Sequence, residues 1–113
     1  NYYKARLVNV GDLILPYSNK KNYNVYHLFV IRTKERIRLK EFLKENSIQC
    51  GIHYPTSLPK LKAFSYLNQN NTTINSNEID SNLLSLPIGE HITDKQMKYV
   101  VDKIITFYKD NPL

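Results

Sequence analysis

The sequence predicts an α+β fold: a small, mostly antiparallel sheet with helices packed on it. Three features carry that expectation. Residues 25–31, Val-Tyr-His-Leu-Phe-Val-Ile, place β-branched and aromatic side chains on both alternating faces, as a strand covered on each side requires. The stretch from Thr93 onward opens with a capping-box pair, Thr93 and Gln96, and then repeats apolar residues at helical spacing. A chain of 113 residues with 42% hydrophobic and 23% charged side chains has the balance of one packed domain, 1–113. At that size a single core suffices without a metal or a disulfide.

Residues 2–8 have helical character but no capping residue and no signal-peptide pattern, and the first residue is Asn1 rather than Met. The N-terminus therefore reads as a cut through something longer. Gly11-Asp12 breaks the helix, and Leu13, Ile14 and Leu15 read as a short buried strand stopped by Pro16. Residues 18–24 are polar and read as a loop. The run 25–31 is expected at the centre of the sheet, with His27 a packed core histidine. Thr33 can cap the next helix, whose apolar stripe is Ile37, Leu39, Phe42 and Leu43 and whose end falls near Asn46-Ser47.

Residues 48–54 alternate. Ile48, Cys50, Ile52 and Tyr54 point one way and Gln49, Gly51 and His53 the other, a strand half-packed on the core that Pro55 ends. Residues 68–82 turn to Asn, Thr, Ser and Gln and read as a mobile loop without function. Residues 83–87 return to apolar, extended character. In the last helix Ile92 and Met97 are placed as a hydrophobic staple. Met97, Val100, Val101, Ile104, Ile105 and Tyr108 form its buried stripe, and Asn111-Pro112 stops it.

Composition narrows the function classes. The net charge of +6 arises from 16 basic and 10 acidic residues scattered along the chain, the pattern of solvated faces rather than one basic patch. The run 28–31, extended by residues 25–27, falls far short of the roughly 18 apolar residues of a membrane span. Cys50 has no second cysteine to pair with, which points to a reducing compartment, with cytoplasm expected. It is expected to face the core, where a thiol is a poor nucleophile. No His, Cys or acidic pair has a metal-ligand spacing, and Gly11, Gly51 and Gly89 stand isolated rather than in a phosphate loop. No aromatic sheet motif for RNA is present, and His91 reads as a loop residue. The suggestive cluster is His53-Tyr54-Pro55, two hydrogen-bonding side chains beside a rigid proline, suited to a polar ligand. From the residues alone, a strand-end histidine is also readable as exposed or structurally satisfied.

Four segments occur in order: residues 26–32 (Tyr-His-Leu-Phe-Val-Ile-Arg), 51–55 (Gly-Ile-His-Tyr-Pro), 84–87 (Leu-Ser-Leu-Pro) and 93–96 (Thr-Asp-Lys-Gln). This series resembles the C-terminal small domain of the DegT/DnrJ family of pyridoxal-phosphate-dependent nucleotide-sugar aminotransferases, over essentially the whole chain. The resemblance implies the small domain of the aspartate aminotransferase fold, with the cofactor held by a large N-terminal domain that this chain lacks. The family's lysine motif is absent here, so no catalytic or cofactor-binding residue is assigned and the chain alone is expected to be inactive. His53 and Tyr54 match the family's substrate-contacting pair. The implied partners of the intact enzyme are a nucleotide-diphosphate sugar, an amino-acid donor (glutamate in the family) and a second copy in a homodimer, with neither nucleic acid nor membrane. A sugar dehydratase of the same family and a freestanding basic module are the alternative readings.

Overall fold

Residues Phe29–Arg32 (β1) and Leu83–Leu86 (β2) pair antiparallel, with Phe29 opposite Leu86 and Ile31 opposite Leu84. The structure, a computed structural model, describes residues 2–19, 21–69 and 75–112. Two single bridges extend the ladder on either side: Ile14 exchanges both backbone hydrogen bonds with Arg32, and Gly51 does the same with Ser85. Four extended stretches thus lie side by side, all antiparallel. Around them run helices α1 (Tyr2–Leu7), α2 (Arg36–Glu45), α3 (Asn75–Ile79) and α4 (Asp94–Asp110). Short 3-10 turns span Leu58–Lys60, Lys62–Leu67 and Asp80–Asn82. The fold is α+β, as the sequence predicts.

The strands alternate, and that alternation decides what faces the helices. Phe29, Ile31, Leu84 and Leu86 are buried in one cluster with Leu39 and Leu43 of α2 and with Val100, Val101, Ile104 and Phe107 of α4. Both α1 and α2 pack on α4. From α1, Leu7 is fully buried, and the Tyr3 ring lies 5.1 Å from that of Phe29 while its hydroxyl donates to the Pro87 carbonyl at 2.7 Å. Burial lifts that phenol to about 12. The start of α4 follows from its sequence: the Thr93 hydroxyl accepts from Gln96 N–H, and the Gln96 side chain accepts from Thr93 N–H.

Several expected elements are shorter than the sequence suggests. The strand expected over 25–31 begins only at Phe29, because Tyr26 takes a left-handed backbone (φ 49°) that interrupts an extended run. Val25 is accordingly exposed, and so is His27, which lies ahead of the strand rather than in the core. The stretches around Ile14 and Gly51 each contribute a single bridge rather than a strand. Ile14 is half in solvent rather than buried, and Ile37 turns outward from α2. The 68–82 stretch is not structureless, since α3 and a 3-10 turn lie within it. Its residues 70–74, like Asn1, Lys20 and Leu113, lie outside the described residues.

Glu35, not the expected Thr33, takes the N-cap position of α2, with no side-chain capping bond, and Thr33 is engaged elsewhere. Thr33 is buried, accepts from Glu35 N–H at 2.9 Å just ahead of α2, and donates to Asp12 at 2.6 Å. The Tyr108 hydroxyl, from the far end of α4, donates to the same Asp12 oxygen at 2.7 Å and lies 2.7 Å from the Thr33 hydroxyl. Asp12 also accepts from Lys34 N–H at 2.7 Å. Gly11 makes room for this knot: its φ is +52°, and a Cβ there would fall 2.1 Å from the Tyr108 ring. Partial burial works against ionising Asp12, but the donors from Thr33, Tyr108 and Lys34 prevail and hold its carboxyl below the usual range, while burial raises the Tyr108 phenol.

Tyr108→Phe removes one member of this buried set and should cost about 1–3 kcal/mol of stability in urea unfolding at neutral pH; an unchanged midpoint would show that the hydroxyl is idle. The carboxyl of Asp12 is depressed in the folded state, so its contribution is present above its unfolded pKa near 4 and is lost as pH falls through the folded value. The stability gap between wild type and Asp12→Asn should therefore narrow as unfolding is measured from pH 7 toward pH 3.

Candidate functional site

Beyond the Gly51 bridge the chain leaves the sheet, and His53 is the first polar side chain it presents. Ser85 faces Val30 across the ladder, on the side away from Leu84 and Leu86. Its backbone is locked to Gly51, and its hydroxyl lies 2.9 Å from His53 Nδ1. The imidazole occupies the space over Gly51, where a Cβ would meet His53 Cε1 at 2.4 Å. One ring nitrogen of His53 is thereby committed to the sheet. The other, Nε2, has no hydrogen-bond partner among the described residues, on a side chain that is exposed as a whole.

Tyr54 follows across a cis peptide bond, its ring edge-on to the imidazole at 6.1 Å and 85°. It is 75% exposed, against the sequence expectation that it points to the core with Ile48, Cys50 and Ile52. Ile48 is buried, and Cys50 and Ile52 pack against the core as expected. Burial raises the Cys50 thiol to about 11, partly offset by Lys40, so the sulfur is no nucleophile. His53 and Tyr54, the two residues singled out from the sequence, are thus neighbours at one edge of the sheet.

Tyr54 also lines a cleft of about 500 Å³, together with Leu58, Leu61, Ile79, Leu83 and Asp80. The lining is mainly apolar, and within it the Asp80 carboxylate accepts from Ser57 N–H at 2.9 Å and from Lys60 Nζ at 3.0 Å. Those donors, the Ser57 amide foremost, hold the Asp80 carboxyl below its ordinary range despite burial. Sequence reading passes over Asp80, Ser57, Lys60 and Ser85. The one available signal was Ser85, a hydroxyl amid leucines in Leu-Ser-Leu-Pro; Asp80 lies in a stretch whose composition says only loop. His91 is exposed and apart from this site. No group of three or more potential metal ligands occurs among the described residues, and no described helix is long and apolar enough to cross a membrane.

The chain as a whole is similar to known proteins. The profile of the DegT/DnrJ/EryC1/StrS aminotransferase family matches residues 1–105. The chain is 38% identical to dTDP-3-amino-3,6-dideoxy-alpha-D-galactopyranose transaminase of Aneurinibacillus thermoaerophilus, over 91% of this chain and 28% of that protein. It is 33% identical to a pleiotropic regulatory protein of Geobacillus stearothermophilus, over 88% of this chain and 27% of that one. The chain thus spans little more than a quarter of the length of these relatives. Among solved structures, S. venezuelae DesV in complex with a ketimine intermediate superposes with a TM-score of 0.86 at 27% identity, over 93% of this chain and 29% of that chain. An aminotransferase of the family from Brucella abortus, 21% identical with a TM-score of 0.82, shares the fold.

The bond from Ser85 to Nδ1 should hold His53 in one tautomer. Nitrogen-detected NMR of the imidazole is expected to show a single tautomeric form in wild type and a mixture in Ser85→Ala, where the ring loses its fixed partner. An identical pattern in the two proteins would mean that the serine does not orient the ring.

Proposed function

Because this chain belongs to the DegT/DnrJ/EryC1/StrS aminotransferase family, we propose that it is the C-terminal small domain of a pyridoxal-phosphate-dependent enzyme. That enzyme moves an amino group from an amino acid, with glutamate the expected donor, to a nucleotide-linked keto sugar. The observation that carries the reading is the pairing of His53 and Tyr54 at the edge of the sheet, one ring nitrogen anchored on Ser85 and both side chains exposed. The transaminase identity of the Aneurinibacillus relative supports the choice of reaction over dehydration. We read the intact protein as a cytoplasmic homodimer whose cofactor-binding domain is separate from this one.

Among the described residues, those lining the cleft beside Tyr54 do not fit the cofactor themselves. A pyridoxal phosphate site needs a lysine for the aldehyde and uncommitted donors for the phosphate. In the cleft beside Tyr54 the nearby lysine, Lys60, is already paired with Asp80, and the Ser57 amide is bound to the same carboxylate. No step of the reaction is therefore assigned to this chain's side chains; its part is to bind and orient. The His53 Nε2 and the Tyr54 hydroxyl are a hydrogen-bonding pair suited to sugar hydroxyls or diphosphate oxygens. The apolar cleft wall shields the bound face from water. A freestanding basic module is less well supported, because the family match spans residues 1–105.

In the full-length enzyme, His53→Ala combined with Tyr54→Phe should raise KM for the nucleotide sugar by roughly tenfold or more, the loss of one to two hydrogen bonds to substrate, and leave KM for the amino donor unchanged. Unchanged steady-state kinetics with the sugar would refute the assignment of these two residues.

A further inference from the structure

The loop that carries Tyr54 has no strand partner. Between Gly51 and β2 no described residue joins the ladder, and the backbone bonds within residues 54–61 are turns, Lys60 N–H to Ser57 and Leu61 N–H to Leu58. What fastens them to the rest of the domain is a set of side-chain bonds to residues 77–80. Asp80, 7% exposed, accepts from the Ser57 amide at 2.9 Å and from Lys60 Nζ at 3.0 Å to each carboxylate oxygen. Lys60 also donates to the Asn77 carbonyl, and the Ser57 hydroxyl to the Asn77 side chain. Asp80 is in turn fixed from below, its carbonyl accepting from the Arg36 guanidinium of α2 at 2.8 Å.

An exposed ion pair contributes little. This one differs, because the carboxylate is buried, charge-assisted bonds reach it from two residues, and one of them is a backbone amide that fixes chain position as well as charge. Both ends of the Ser57–Asp80 bond line the same cleft as Tyr54, together with Leu58, Leu61, Ile79 and Leu83.

We infer that Asp80 and Lys60 are positioning residues for the nucleotide-sugar site: they hold the loop that carries Tyr54 against the sheet and so set substrate affinity without touching the reacting atoms. The inference rests on the substrate reading given above and adds to it two residues outside the His53-Tyr54 pair. It assigns the polar 75–82 segment a role in binding.

The test uses the full-length enzyme, with Asp80→Ala, Asp80→Asn and Lys60→Gln; the last lies at the more exposed end of the clamp and serves if the Asp80 variants fail to fold. Asp80→Ala should raise KM for the nucleotide-linked keto sugar by about tenfold, with kcat within about twofold and KM for the amino donor unchanged. Asp80→Asn, which keeps an acceptor for the Ser57 amide, should show a smaller rise, as should Lys60→Gln. Backbone hydrogen exchange over residues 54–61 should quicken in the same order. A merely structural role would instead lower kcat through lost active protein and leave KM in place. An unchanged KM, or unchanged exchange in the loop, overturns the inference. Wild-type enzyme that transfers no amino group to any such sugar overturns the substrate reading itself, and that failure is visible before any variant is made.

Discussion

The pairing of Phe29–Arg32 with Leu83–Leu86 is the constraint on which the rest of this domain depends. Its register puts Leu84 and Leu86 into the core opposite Ile31 and Phe29, and in the same stroke turns Ser85 to the other face. A slip of one residue would exchange those faces, burying the serine among leucines and losing both the core and the His53 anchor. Few alternatives compete with a register so marked. Ser85 is therefore a node: its backbone belongs to the ladder and to the Gly51 bridge, and its hydroxyl meets the imidazole. Fold and candidate site share one residue.

The opposite side of the domain is closed by polar rather than apolar means. Asp12, Thr33 and Tyr108 come from the N-terminal segment, the end of β1 and the last turns of α4, and their hydrogen bonds draw these three together over a buried apolar cluster. A buried polar set of this kind is costly when incomplete and specific when satisfied. The Asp80 clamp repeats the device at the cleft, again with a carboxylate that collects backbone and side-chain donors from a distant segment. In each case one carboxylate gathers donors from a segment some twenty or more residues away.

What could be read from the sequence divides along the same line. The last helix was legible almost to the residue, because its capping box and stripe are local signals; Phe107, buried beside Tyr108, is the one core member the stripe omitted. The apolar, extended character of 83–87 and the polar face at His53 were legible for the same reason. The strands at 13–15 and 48–54 were not, since propensity can propose a strand but only a neighbour can pair it, and here each finds one bridge. Tyr26 carries no sequence mark of a positive φ. Tyr54 was assigned inward by strict alternation, which fails once the chain leaves the ladder. Asp80 escaped notice because its partners lie some twenty residues away and its neighbours are Asn and Ser.

On the proposed function, these features suit a domain that holds a substrate edge in place: the sheet fixes His53 through Ser85, and the clamp fastens the loop of Tyr54 to residues 77–80. The most direct measurement of that account follows an isotopically labelled nitrogen from glutamate in the presence of the full-length protein, pyridoxal phosphate and a nucleotide-linked keto sugar. The account predicts that the label appears on the sugar ring carbon that carried the ketone. Label retained by the amino acid, with the sugar unchanged or dehydrated, would contradict it.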